Sequence, residues 1–464
     1  MRRIQTQYLK EWYLKNNRKP LMVRGARQVG KSTLVRLFAK ELNLDLIEIN
    51  LEKNKLRSLE FQNEKLVVSI LQEIESKFNK KIHEKTLIFF DEIQQLPELI
   101  PALRFFYEER PDLAVVCAGS LLEFVLEEHE FSMPVGRIEF LYLGPMKFSE
   151  FLMNGEKEEL FNQVQNKFPK ITSSHYEQLT EQLKKYFFIG GMPEAIKNYY
   201  ETHSPKAVRD VHHSIIATYK NDFTKYTKNK ELPRIEEVFE ALPNNFGKKI
   251  KYTEISAALD SRKIKRSLHL LALAHLIQIC YHSNSSGIPI SSQKDINVFK
   301  LYFLDIGLLH YMFGLGWSDI NNLDNKSLLT QGVSAEQFIA QHLAYRNGPQ
   351  EAPELYYWLR DKNAANAEVD FIISKGRSII PIEIKSGKSG SIKSLIQFMG
   401  EKKYLEAYRF DLRDRAAFGE NFIEDIKIKI ADTENKFTEF KLINSHLGLI
   451  ECLDSNIHRD DGRF

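Results

Sequence analysis

The chain has 464 residues, with 65 Lys and Arg against 62 Asp and Glu, for a formal charge of +3. That length predicts roughly two to four domains, and so small a net charge does not imply a nucleic-acid partner, so any basic site must be local. Cys117, Cys280 and Cys452 lie far apart without metal-ligand spacing and suit a reducing compartment. No apolar leader is seen at the start and no apolar run is long enough to span a bilayer, so a cytoplasmic protein without membrane contact is expected.

Pro20 to Arg24 reads as a short buried strand, and Thr33 to Ala39 as a helix with Leu34, Leu37 and Phe38 on one face. Between them stands Gly25-Ala26-Arg27-Gln28-Val29-Gly30-Lys31-Ser32-Thr33, which fits the phosphate-binding pattern G-x-x-x-x-G-K-[ST]. Gly25 and Gly30 allow the backbone to turn its N–H groups inward as an anion nest. The following helix adds its positive N-terminal end. Lys31 is expected on the β- and γ-phosphates, and the Ser32 hydroxyl on Mg²⁺.

Leu46 to Asn50 reads as a second strand and Leu66 to Ile74 as an amphipathic helix. Thr86 to Glu92 is an apolar strand ending in two acids. A buried parallel strand delivers such carboxylates beside the phosphate loop. Asp91 would hold Mg²⁺ through water, and Glu92 would orient and deprotonate the attacking water. Leu113 to Ser120 is another buried strand; Ser120 either faces the γ-phosphate or caps the next helix.

Arg24 to Ser32, Phe89 to Gln94, Ala118-Gly119-Ser120, Gly136-Arg137 and Gly144 to Phe151, with later segments, resemble the AAA-type ATPases of bacteria and archaea that carry a C-terminal region related to PD-(D/E)xK nucleases. The resemblance covers nearly the whole chain. It implies ATP and Mg²⁺ as cofactors. It also implies Arg137 as a finger acting on a neighbour's nucleotide, and with it a homo-oligomer through the ATPase domain; a surface ion pair is the other reading of Arg137. Tyr186 to Ala195, with its Gly190-Gly191 turn, resembles the family's helical lid, and Tyr219-Lys220-Asn221-Asp222-Phe223 is a further family-like segment without a role derivable from sequence.

The middle reads as three helices, 235–242, 253–259 and 262–279, followed by strands at 281–287 and 298–304. That is the order of a winged helix-turn-helix. Lys248, Lys249, Lys251, Arg262, Lys263, Lys265 and Arg266 crowd the turn and the start of the third helix, where a recognition helix meets double-stranded or branched DNA. Winged helices also bind proteins.

The last region alternates helix and strand. Glu336 lies on an amphipathic helix; strands follow at 355–360, 368–373 and 379–386. Glu383 and Lys385 are two apart and share one strand face, with Ile382 and Ile384 on the other. Asp370 can meet them from the neighbouring strand. Asp370 and Glu383, joined by Glu336, would bind Mg²⁺, and Lys385 would position water or stabilise developing charge. Val369 stands where the nuclease pattern has proline. The expected fold class is α/β: a P-loop NTPase parallel sheet (1–155) with a helical lid (156–205), a winged helix-turn-helix domain (206–330), an α/β PD-(D/E)xK nuclease-like domain (331–450) and a tail (451–464). Two functions are open: an ATPase acting on DNA, with a Mg²⁺-dependent nuclease, and a regulatory ATPase switch whose nuclease-like fold is a scaffold for a protein partner.

Overall fold

The first part of the chain builds a five-stranded parallel sheet from β1 (Leu21–Arg24), β2 (Asp45–Asn50), β3 (Thr86–Asp91), β4 (Ala114–Ala118) and β5 (Glu139–Tyr142), in the spatial order β2-β3-β4-β1-β5. This computed structural model describes residues 1–54, 56, 66–120, 122–128, 134, 136–165, 172–226, 231–250, 252–256, 258–322, 332–360, 367–385, 392–412, 423–429 and 437–455. Residues 361–366, Lys251, Ser386 and the stretch from Asn456 lie outside those residues. β3 and β4 are buried at every position, which is why they read as unbroken apolar runs. Helices α1 (Gln5–Tyr13), α2 (Lys31–Glu41), α3 (Leu66–Phe78), α4 (Leu99–Glu109) and α5 (Leu122–Glu128) accompany the sheet. The carboxyl ends of β1, β4 and β3 are neighbours, so the loop after Arg24, Ser120 and Asp91 meet at one edge.

Helices then dominate: α6 (Phe148–Asn154), α7 (Glu158–Gln165), α8 (Ser173–Ile189), α9 (Pro193–Thr202), α10 (Pro205–Tyr226), α11 (Leu232–Ala241), α12 (Tyr252–Ile255) and α13 (Ser261–Leu273). Next come β6 (Ile277–Ser283), β7 (Lys294–Phe303), α14 (Ile306–Met312), α15 (Trp317–Asn321) and α16 (Gly332–Leu343). The last elements are β8 (Leu355–Arg360), β9 (Ala367–Lys375), β10 (Ser378–Ile384), α17 (Lys393–Lys402), β11 (Glu406–Asp411), β12 (Ile423–Lys429), β13 (Phe437–His446) and α18 (Cys452–Ser455). Among the described residues no helix is long and apolar enough to cross a membrane.

The eight strands after α13 form one mixed sheet, β12-β13-β11-β10-β9-β8-β6-β7. The hairpin β6-β7, expected in the winged-helix unit, pairs in parallel with β8 through Cys280–Leu355, Tyr281–Tyr356 and His282–Tyr357. The expected division at 330/331 therefore falls inside one hydrogen-bonded sheet. Alternation within a strand reveals its two faces but not its neighbour, so sequence gave no sign of this pairing. A contiguous apolar core likewise runs from Phe38 and Phe151 through Phe187 and Phe239 to Phe338 and Tyr357.

The segment 144–151 is the joint between these parts. Met146 N–H donates to the Gly191 carbonyl (2.7 Å). Phe148 N–H donates to His342 Nε2 (2.9 Å), and Ser149 N–H to Glu451 Oε1 (2.8 Å). The Glu150 carboxylate accepts from Lys147 N–H (2.8 Å) and from Ile4 N–H (2.9 Å). Glu451, expected to begin a tail, is thus buried, with Cys452 and Leu453 beside it.

Candidate functional site

The phosphate loop is shaped by close backbone contacts. Gly25 has φ +140°, and a Cβ there would lie 2.1 Å from the Leu143 carbonyl oxygen. Gly30, at φ +95°, leads into α2 beneath Pro193 of α9. Lys31 is buried, and its ammonium donates to the Gly25 and Ala26 carbonyls, both at 2.8 Å. Burial lowers Lys31 to about 8, against the pull of Glu92 and Asp91. A phosphate oxygen is a stronger acceptor than either carbonyl and favours the charged amine.

Across the loop, Ser32 Oγ donates to Asp91 Oδ2 (2.9 Å). Burial raises the Asp91 carboxyl, and Ser32 works against that rise. These two oxygens are the pair that sequence reasoning placed on Mg²⁺, and they fit a hard cation that keeps several waters. Glu92 sits in the left-handed region at φ 55°, a conformation costing ~1 kcal/mol or more in a non-glycine residue. Gln94 Nε2 donates to Glu92 Oε2 (2.5 Å), and the Ser120 hydroxyl lies 3.4 Å from the same oxygen. Gln94 is a site residue that sequence reasoning missed. Its one signal is the glycine at 119, where a Cβ would lie 2.3 Å from Gln94 Oε1.

Arg137 Nε lies 3.1 Å from Glu108 Oε1, and its guanidinium stands 5.6 Å from the Tyr107 ring centre. Within one chain it forms a half-exposed surface pair.

The basic cluster around α13 divides in two. Lys248, Lys249, Arg262 and Lys265 are exposed, and Lys263 pairs with the helix-capping Asp260 (2.8 Å). Arg266 instead turns to Glu127 of α5 (3.8 Å) and Glu231 (4.0 Å), and His269 lies 2.6 Å from Glu127. His275 bonds Glu123 (3.2 Å), which also pairs with Arg24, next to the phosphate loop. Helix α13 packs against α11, α12 and β6, and its exposed Arg266 and His269 reach across to Glu127 of α5. The segment 247–250 lies along the free edge of β7, with Gly247 N–H to Leu301 O and Ile250 N–H to Phe299 O, each 3.0 Å.

In the C-terminal sheet, Ile382 of β10 stands opposite Phe371 of β9. Past that pair Asp370 Oδ2 accepts from Ile384 N–H (2.8 Å), which brings its carboxylate close enough to Glu383 to act on it electrostatically. Lys385 pairs with Glu383. A second lysine, overlooked in the sequence, joins them: Lys300 of β7 is 2% exposed, pairs with Glu368 and lies 3.5 Å from Glu336. Tyr302 donates its hydroxyl to Glu336 (2.8 Å). A lysine and a tyrosine two apart in the buried, otherwise apolar second half of β7 were the available clue. Burial, then Asp370, raise Glu383 to about 8; burial raises Glu336 to about 7 against Lys300. Burial raises Asp370 as well. Burial would lower Lys300 and Lys385, but the carboxylates outweigh it and raise both. Among the described residues no group of three or more His, Cys, Asp or Glu is disposed to hold a metal ion. Glu383 Oε2 is buried without a hydrogen-bond partner.

Three family models match the sequence. The first, an AAA domain, covers residues 17–152. The phosphate loop and the Asp91-Glu92 strand end both lie within that match. The other two are domains of unknown function, DUF8612 over residues 180–319 and DUF4143 over 331–421. No curated protein matches. Among solved structures, the Walker-type ATPase PabY2304 of Pyrococcus abyssi is similar at 16% identity over 67% of this chain and 94% of that one, with a TM-score of 0.42. The Aeropyrum pernix ORC2 protein shares 14% identity over 68% and 94% of the two chains, with a TM-score of 0.36. The ORC1 protein of the same organism, in complex with DNA, shares 13% over 68% and 93%, with a TM-score of 0.30.

Proposed function

We propose that this chain is a Mg²⁺-dependent ATPase that acts on DNA. The observation that carries the ATPase part is the Ser32–Asp91 contact at 2.9 Å beside the buried Lys31. Lys31 and the loop N–H groups bind the β- and γ-phosphates. Ser32 and Asp91 would hold Mg²⁺, which would supply charge neutralisation at the phosphates. Glu92 takes the proton of the attacking water, and Gln94 and Ser120 orient its carboxylate. The DNA part rests on the exposed Lys248, Lys249, Arg262 and Lys265 around the start of α13, which with α11, α12, β6 and β7 follows the element order of a winged helix. Arg266 and His269 are engaged by Glu127, so DNA contact belongs to the helix start. Fluorescence anisotropy with duplex DNA across a salt series tests this. Lys263→Ala with Lys265→Ala should flatten the slope by about one counterion per lost phosphate contact. An unchanged slope assigns the surface to a protein partner.

A second reading concerns the C-terminal sheet, where Asp370 and Glu383 would hold Mg²⁺ and Lys385 would stabilise charge on a scissile phosphate. The Glu383 Oε2 without a hydrogen-bond partner, close to Asp370, favours it. The two lysines that already compensate the acids favour the scaffold. Incubation of plasmid and branched DNA with Mg²⁺ or Mn²⁺, with and without ATP, separates them: cleavage lost in Lys385→Ala supports the nuclease, and intact DNA supports the scaffold.

A further inference from the structure

The segment Tyr219 to Phe223, which sequence alone left without a role, lies on α10, beyond the residues matched by the AAA domain. The Tyr219 hydroxyl donates to the carbonyl oxygen of Arg27 (3.0 Å), the third residue of the phosphate loop. Both Asp222 oxygens accept from Arg27 Nη1 at 2.6 Å. Tyr219 and Asp222 are 2% and 5% exposed. The helix that presents them is fixed: Phe223 is buried against Phe239, and His212 bonds the Ile189 carbonyl (2.9 Å).

An anion nest works only if its N–H groups converge, and that obliges its carbonyls to point outward. An outward carbonyl shielded from water needs a donor. Tyr219 is that donor for the part-buried Arg27. The guanidinium raises a second problem, since Asp91 and Glu92 stand across the loop and would attract a free arginine into the phosphate seat. Asp222 holds it at the rim.

We propose that Tyr219 and Asp222 are positioning residues of the nucleotide site, preorganising the phosphate loop through Arg27. The site is thereby completed by a helix outside the AAA domain, and nucleotide binding is linked to the middle of the chain. Preorganisation acts on affinity, because a loop already in its bound form has less ordering to do. The inference rests on the ATPase reading and specifies which residues set its affinity.

The test measures binding of a fluorescent ATP analogue and steady-state ATPase in the full-length chain. Tyr219→Phe removes one hydroxyl without changing shape, and Asp222→Asn removes one charge. Each should raise Kd and KM about tenfold, the effect of losing one well-formed polar contact, while kcat stays within about twofold. Asp222→Glu should recover part of the loss, and Arg27→Ala should make Asp222→Asn nearly silent, because the pair acts as one unit. Unchanged Kd in both single variants, or effects of Arg27→Ala and Asp222→Asn that add, would overturn the inference while leaving the ATPase reading intact. If the unaltered chain fails to bind the analogue, the ATPase reading falls and this inference with it.

Discussion

Glu383→Gln should make the protein more stable at alkaline pH. Glu383 lies near Asp370 of the neighbouring strand and keeps one oxygen without a hydrogen-bond partner. Burial, then Asp370, push its carboxyl up to about 8 from an ordinary 4.5. A group that binds its proton more tightly folded than unfolded stabilises the fold below the unfolded value. That contribution is lost as the pH rises through the folded value. Each pKa unit corresponds to ~1.4 kcal/mol, so the ceiling on this loss between pH 4.5 and 8 is ~5 kcal/mol. Asp370 and Glu336 titrate in the same cluster, so roughly half of that belongs to Glu383 alone. Glutamine keeps the volume and removes the charge, and Lys385, 24% exposed at its side chain, can turn to water. Urea unfolding in EDTA, followed by tryptophan fluorescence, should give equal stabilities at pH 5 within ~1 kcal/mol. At pH 9 the variant should exceed the wild type by ~2 kcal/mol. Parallel pH profiles from 5 to 9 would refute the account of this cluster.

Lys300→Met should behave in the opposite sense: leaving Glu336 and Glu368 uncompensated costs ~3–5 kcal/mol at pH 8 and less at pH 5, where Glu336, raised to about 7, carries its proton; an equal loss at both pH values counts against the ion pairing. Gly25→Ala should destabilise by ~2 kcal/mol or more, because its Cβ would meet the Leu143 carbonyl and its φ is strained for alanine; an unchanged melting temperature contradicts this. Arg137→Ala should change stability by under ~1 kcal/mol, as an exposed pair does. Mixed with Lys31→Ala it should regain turnover if the finger acts between subunits, and no gain in a preparation shown to exchange subunits removes that role.

The nucleotide site was legible because its chemistry is local. Gly25 to Thr33 is one uninterrupted stretch, and Asp91-Glu92 ends an apolar strand that can only be buried. The Glu-x-Lys pair was legible for the same reason, through strand alternation. What sequence did not reveal is what the fold joins across long separations. Lys300 reaches Glu336 because α16 packs on β7, and Glu368 because β7 and β9 belong to one sheet. Tyr219 reaches Arg27 only because α10 packs over the loop. Arg266 sits beside Lys263 and Lys265 in sequence, and its 3.8 Å approach to Glu127 of α5 joins residues that no local pattern relates. Gln94 went unnoticed because it belongs to no periodic pattern, sitting in a short turn after Glu92.

The most direct test of the central claim is Glu92→Gln, assayed for nucleotide binding and for phosphate release with Mg²⁺. The substitution spares Lys31, the loop backbone and the Ser32–Asp91 pair, and removes only the carboxylate that Gln94 and Ser120 hold. The variant should bind ATP within about threefold of the wild type and lose turnover by about a hundredfold or more, the usual contribution of a positioned general base. Undiminished phosphate release from the variant would contradict the assignment of this site.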